Sequence, residues 1–189
     1  MTTSANAPSY IALLKRYDSC SDDVKKYFDL LPPLVKDYPH SVSLAYMFFQ
    51  TEKAQNRILY GGVVKLHHGN ARTVESLVYT AHIKRESFLS LFKNVFDKEL
   101  TQSIASKLKI AETTRDKLLH GKKVPEANLR EAISDVLDYA EAMNAEVETL
   151  ANFKPFGDMR GFKGRGGRDA LDAKTTKWLM KGLGFPASS

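Results

Sequence analysis

Cysteine is almost missing from this chain: Cys20 is the only one among 189 residues. A single thiol builds no disulfide framework and supplies no Cys/His cluster for a metal, so no metal and no cofactor is expected. It also makes a reducing, cytoplasmic interior the natural compartment. Long apolar runs are absent as well. No stretch approaches the roughly 20 apolar residues needed to cross a bilayer, so no membrane role is expected. Residues 1–8, MTTSANAP, have neither a basic start nor an apolar core, so no secretory leader is expected. No stretch sustains period-two alternation between turn signals, so strands are not expected either.

What is present is the composition of a globular domain, 43% hydrophobic and 26% charged. The length suits one domain with a tail. The net charge of +6 is unevenly placed. Residues 154–189 hold eight Lys/Arg and three Asp/Glu, hence +5, which leaves +1 for residues 1–153. The expected organisation is a helical body over 1–153 and a basic tail over 154–189. The body should be all-α, an antiparallel up-down bundle of about five or six helices.

Periodicity and capping place the helices. A short one is expected over 10–17. Ser21, followed by Asp22-Asp23, caps a second, which Pro32-Pro33 should end. His40 or Ser41 opens a long helix, in which Gly61-Gly62 marks a kink or a close approach. Asn70 caps a helix carrying Val74, Val78, Phe88, Phe92 and Phe96. Residues 97–117 form the next, and Pro125 sits at the first turn of the last. That last helix has the cleanest pattern. Leu129, Ile133, Val136, Ala140, Met143, Val147 and Leu150 alternate spacings of four and three. This is a seam for packing within a bundle or, in the alternative, across a dimer.

The most informative words are Arg115-Asp116-Lys117-Leu118-Leu119-His120-Gly121. They put a permanent cation, a carboxylate and an imidazole at a helix end. Arginine grips a phosphate through two parallel hydrogen bonds, and histidine moves protons near neutral pH. Arg115 shares a stripe with Ile104, Leu108, Ala111 and Leu118, so its guanidinium must leave the core or meet a carboxylate, with Glu112 and Asp116 as candidates. Ideal geometry sets Arg115 and His120 about 140° apart, so His120 should lie past the regular helix, where Gly121 lets the chain turn. Lys65-Leu66-His67-His68-Gly69 echoes this ending without the arginine and carboxylate. His67 and His68 make poor joint metal ligands, since neighbours on a helix point about 100° apart.

An Arg-Asp-x-x-x-His motif in an all-helical chain resembles the HEPN family of helical ribonucleases and nucleotide-binding proteins, over residues 40–153. The resemblance implies a homodimer in which two motifs share one cleft. It also implies metal-independent endoribonuclease activity that leaves a 2′,3′-cyclic phosphate and a 5′-hydroxyl, in a defence or toxin–antitoxin setting. By position, Arg115 would hold the scissile phosphate, His120 would act as general acid or base, and Asp116 would orient one of them. A tyrosine two residues after the histidine is frequent in members paired with a nucleotidyltransferase antitoxin. Lys122 stands there instead, so control by modification at that site is not expected, though an antitoxin or other regulatory protein fits the family. Lys122 and Lys123 would help hold RNA backbone, or are simply solvated loop lysines. The alternative reading is a non-catalytic HEPN-like dimer that binds nucleotide or protein.

The tail interleaves Arg160, Arg165 and Arg168 with glycine and phenylalanine, a composition that suits single-stranded RNA or a flexible linker. Residues 169–182 read as a short amphipathic helix carrying the lone Trp178. Docking on the body, a protein partner and RNA tethering are its three open roles.

Overall fold

A computed structural model describes residues 7–81, 83, 85–159, 162 and 169–186. Among them the chain is all helix, with no strand. The helices are α1 Tyr10–Asp18, α2 Asp22–Tyr27, α3 Leu31–Asp37, α4 His40–Leu66, α5 Ala71–Thr80, α6 Arg85–Phe96, α7 Gln102–Leu119, α8 Glu126–Ala151 and α9 Ala173–Gly182. None is long and apolar enough to cross a membrane, among the described residues.

Local chemistry explains most of the boundaries. Ser9, Ser21, Asn70 and Asp172 each accept a backbone N–H of the helix they open. Four boundaries differ from expectation. Pro32 and Pro33 do not end α2, which stops at Tyr27. They open α3, in the first turn, where a missing N–H costs nothing. The helix expected from Asn70 through Phe96 is two. Met180 of α9 is buried where α9 packs on α5, while α6 packs Val95 and Phe96 on Gly62 of α4, and one straight rod would have to serve both partners. No glycine or proline between 80 and 85 announces the break. Asp97, expected to begin the motif helix, has φ of 51° and follows α6 instead; α7 starts at Gln102. Pro125 precedes α8, and its carbonyl accepts from Asn128 and Leu129.

The chain divides into two compact units. The first contains Met1–Glu52, Thr101–Ala145 and Phe156–Asp158. Its core gathers Leu13, Phe28, Leu44 and Met47 with Ile133, Val136 and Met143 of α8, all essentially sealed from water. Phe28, Tyr139 and Phe156 form an aromatic cluster, with Phe156 set by the buried Asn144. The Asn144 amide donates to the Phe156 carbonyl at 3.1 Å and accepts its N–H at 2.8 Å, as a sheet partner would. A polar face of α8 fastens α1 and α7: Asp138 accepts from Arg16 and from Lys107, the latter at 2.6 Å. His40 at the start of α4 pairs with Glu126 at the start of α8.

The second unit contains Lys53–Leu100, Glu146–Pro155 and Met159–Ser189. Gly61 and Gly62 serve close approach. A Cβ on Gly61 would lie 2.4 Å from the Phe153 ring, and one on Gly62 2.5 Å from Val95. Thr176 of α9 accepts the Asn70 N–H at 2.9 Å, and Asn94 donates to the Leu183 carbonyl at 2.9 Å. Thr176, Met180 and Phe185 are buried, so the C-terminal helix docks within this unit. It does not dock through Trp178, which is 73% exposed.

The α8 seam is intramolecular. Leu129, Ile133, Val136, Ala140, Met143 and Val147 are all buried within the single chain, and Leu150 is half-buried.

Candidate active site

The site is built on the end of α7. His120 is the C-cap residue, and Gly121 follows with φ of 67°. The Lys122 N–H donates to the Lys117 carbonyl at 2.8 Å, and the Gly121 N–H to the Leu118 carbonyl at 2.9 Å. This pair of bonds is the Schellman ending, which needs a residue without Cβ strain at Gly121. His120 itself still donates its N–H to the Asp116 carbonyl at 3.0 Å, so the chain leaves the helix only at Gly121 and not, as the spacing from Arg115 suggests, before His120. The His120 and Asp116 side chains are exposed, as are Lys122 and Lys123.

Arg115 is half-buried. Its guanidinium carbon lies 4.9 Å from the centre of the Phe48 ring on α4, a cation–π distance. One of its terminal nitrogens lies 3.5 Å from Glu52 Oε1, also on α4. The carboxylate found facing Arg115 thus comes from another helix, and not only from its own helix as the sequence suggests. Arg115 opens onto a cavity of about 370 Å³ whose lining includes Ala45, Phe49 and Glu52 of α4 with Leu118 and Leu119 of α7. Asp116 and His120 are at the same helix end but do not line it. Phe49 and Leu119 are 60% and 69% exposed, so two large apolar side chains rim the arginine.

Magnitudes decide what Arg115 is free to do. An exposed ion pair at 3.5 Å is worth at most about 1 kcal/mol. A two-pronged charge-assisted grip on a phosphate gains more, about 1.5–3 kcal/mol per hydrogen bond to a charged group. A phosphate would therefore displace Glu52, whose side chain is 59% exposed and swings out at little cost.

Sequence reasoning missed Phe48, Phe49 and Glu52. The available signal was the spacing of Phe48 and Glu52, four apart on one face of α4. Arg160, Arg165 and Arg168 lie outside the described residues. Cys20 is buried, and burial pushes its thiol up to about 11, which disfavours the thiolate. No group of three metal-ligating side chains occurs among the described residues.

The two similarly worded helix endings differ in structure. At the end of α4 the left-handed residue is His68, with φ of 58°, one position earlier than Gly121 in the matching words. His67 Nε2 donates to the Val95 carbonyl at 2.7 Å, and His68 Nδ1 to the Asp169 carbonyl at 3.2 Å. Both imidazoles there serve the fold.

Comparison of the chain with protein-family models, with curated proteins and with solved structures gives no match.

Proposed function

We propose that this chain is a metal-independent endoribonuclease of HEPN type that works as a homodimer. One observation carries the reading. Arg115 is only loosely held by Glu52, faces an open cavity, and shares its helix end with an exposed His120. The rim of Phe49 and Leu119 is the apolar surface a second copy would cover, bringing two motifs to one cleft. The reading takes the long helices as an antiparallel up-down bundle.

In this mechanism the 2′-hydroxyl of the substrate attacks the adjacent phosphorus. Its proton passes to one His120, and the departing 5′-oxygen takes a proton from the His120 of the second copy. Arg115 holds the non-bridging oxygens as negative charge grows on them. Asp116 orients the imidazole, and Lys122 and Lys123 hold flanking phosphates. The product ends are a 2′,3′-cyclic phosphate and a 5′-hydroxyl. A defence or toxin–antitoxin role in the cytoplasm, under a regulatory protein, belongs to the same proposal.

The test is cleavage of a labelled RNA in EDTA. Wild type is expected to cut. Arg115→Ala and His120→Ala are expected to lose cleavage by about 100-fold or more, on the order of one general acid–base group, with little change in stability. Arg115→Lys should fail too, since a point charge does not replace a planar fork. Lys109→Ala on the exposed side of α7 should cut normally. Full activity in His120→Ala would overturn the nuclease reading. A second reading, a non-catalytic helical dimer for nucleotide or protein, is favoured by the carboxylate of Glu52 facing Arg115. A wild-type dimer that does not cut RNA would select it.

A further inference from the structure

The outer face of α9 carries an unused constellation. Lys174, Lys177, Trp178 and Lys181 fall within about 100° of helical arc, opposite the buried Thr176 and Met180. All four are exposed. Two carboxylates, Asp169 and Asp172, lie at the start of this helix and both are exposed; Asp172 is engaged by the helix itself. It accepts the N–H groups of Lys174 and Thr175 and the Thr175 hydroxyl, which hold it below the usual carboxylate range. Beside Trp178 lies a second cavity, about 670 Å³, with an apolar floor of Leu77, Met180, Phe185 and Pro186 and with Lys177 and Lys181 at its edge.

Packing does not account for this tryptophan. The helix is already docked by Thr176, Met180 and Phe185, and the largest apolar side chain in the segment points into water. An exposed aromatic face flanked by cations suits a ligand that alternates flat rings with negative charge. The exposed stripe sets three cations around one indole, an alternation that suits rings and phosphates better than the apolar patch of a folded protein, and an anionic membrane would want several apolar side chains on that stripe, where α9 offers one.

We infer that the Lys174–Lys177–Trp178–Lys181 face of α9 is a docking site for single-stranded nucleic acid, with a base stacked on the Trp178 indole and the three lysines on consecutive phosphates. Lysines three and four residues apart are spaced by about 4.5 and 6 Å along the helix, the scale of a nucleotide step. The choice of RNA over DNA rests on the proposed ribonuclease activity, to which this face gives a second hold on the substrate. The docking itself does not depend on Arg115 or His120.

Trp178 is the only tryptophan of the chain, so its fluorescence reports on this face alone. The experiment titrates the full chain with a 2′-O-methyl oligouridine of about 12 nucleotides, which cannot be cut by 2′-hydroxyl attack. Saturable quenching is expected. Three neutralised phosphates give a log–log salt slope of about −2, so affinity should fall about 20-fold between roughly 50 and 200 mM salt. By anisotropy of a labelled oligomer, Trp178→Ala should weaken binding about tenfold, and Trp178→Phe should recover much of it. The double variant Lys177→Gln, Lys181→Gln should flatten the salt slope. All these side chains are exposed, so the fold is unaffected. Unquenched fluorescence, or anisotropy unchanged by these substitutions, would overturn the inference. So would a blue shift on vesicles of phosphatidylserine and phosphatidylcholine without any response to oligomer. Quenching by the oligomer with no cleavage of ordinary RNA would defeat the nuclease reading and leave this one standing.

Discussion

Asp135 and Asp138 are three residues apart on α8, and their surroundings drive them in opposite directions. Asp135 is only 9% exposed. Burial raises its carboxyl from an ordinary 3.8 to about 6, with repulsion from Glu131 adding and Lys107 opposing. Asp138 is also raised by burial, but hydrogen bonds from Lys107 and Arg16 outweigh this and hold it below the usual range. The stability consequences therefore have opposite signs. Well below pH 3.8 Asp135 is protonated folded and unfolded alike and costs nothing. Between about 4 and 6 the unfolded chain ionises first, and stability is lost as pH rises. Above about 6 the full cost is present. At about 1.4 kcal/mol per pKa unit, a rise of roughly two units is a gross cost of about 3 kcal/mol. Solvent screening at the partly open site reduces the measurable share to about 1–2 kcal/mol.

Asp135→Asn keeps the shape and removes the ionisation. It should match wild type near pH 4 and exceed it by about 1–2 kcal/mol at about pH 8, with the gain growing through the window between. Urea unfolding at a series of pH values measures this as the difference between the two proteins. Asp138→Asn is the opposed control. It should cost about 2 kcal/mol at neutral pH, because it removes the charge that two cations share and sets an amide NH2 against one of them, and the loss should shrink as pH falls below about 4. A pH-independent difference for Asp135→Asn, or a variant less stable than wild type at pH 8, would refute the reasoning.

Gly61→Ala should be destabilising. Helix propensity favours alanine by up to about 1 kcal/mol, but a Cβ 2.4 Å from the Phe153 ring forces a shift that costs about 1–3 kcal/mol, so the melting temperature should fall by a few degrees. Gly182→Ala is the matched control, since a Cβ there meets nothing within 4 Å, and it should hold or raise the melting temperature. Glu52→Gln removes the charge facing Arg115 and should change stability by less than about 1 kcal/mol. If Arg115 binds RNA phosphate, the same variant should lower KM in the cleavage assay; a raised KM would mean that Glu52 positions the arginine instead of competing for it.

Features set by neighbours along the chain are legible in the sequence itself. Ser21 and Asn70 cap helices because a side-chain oxygen reaches an N–H three residues on, and that is local chemistry. The α8 seam is legible because burial on one face leaves a period. The double glycine announces a close approach but not its partners, Phe153 and Val95. What the letters do not carry depends on contacts between helices. The break between α5 and α6 has no glycine or proline to mark it, and the two helices pack on different partners, α5 on α9 and α6 on Gly62 of α4. Pro32-Pro33 is equally compatible with ending one helix and opening another, and only the burial of Leu31 and Val35 inside α3 decides. Trp178 reads as an anchor because tryptophan is the most hydrophobic-looking letter in its segment, but the docking face of α9 lies on the other side.

The paired helix endings show why words alone do not locate a site. Lys-Leu-x-His-Gly occurs twice, and in both places it ends a helix. At α4 the chain continues so that later segments supply carbonyl groups to both imidazoles, from Val95 and from Asp169. Those histidines spend their hydrogen-bonding capacity on the fold. At α7 the glycine takes the left-handed position in place of the histidine, and the imidazole stays exposed at the helix end that also carries Arg115, which an exposed glutamate and a ring face hold. The difference lies in one register step and in what packs behind it. In the proposed reaction one exposed imidazole is half of an acid–base pair, because in-line displacement needs a proton removed on one side of phosphorus and delivered on the other. On the proposed ribonuclease reading, the other half comes from a second His120, and Phe49 and Leu119, both exposed, are the surface through which a second copy would bring it.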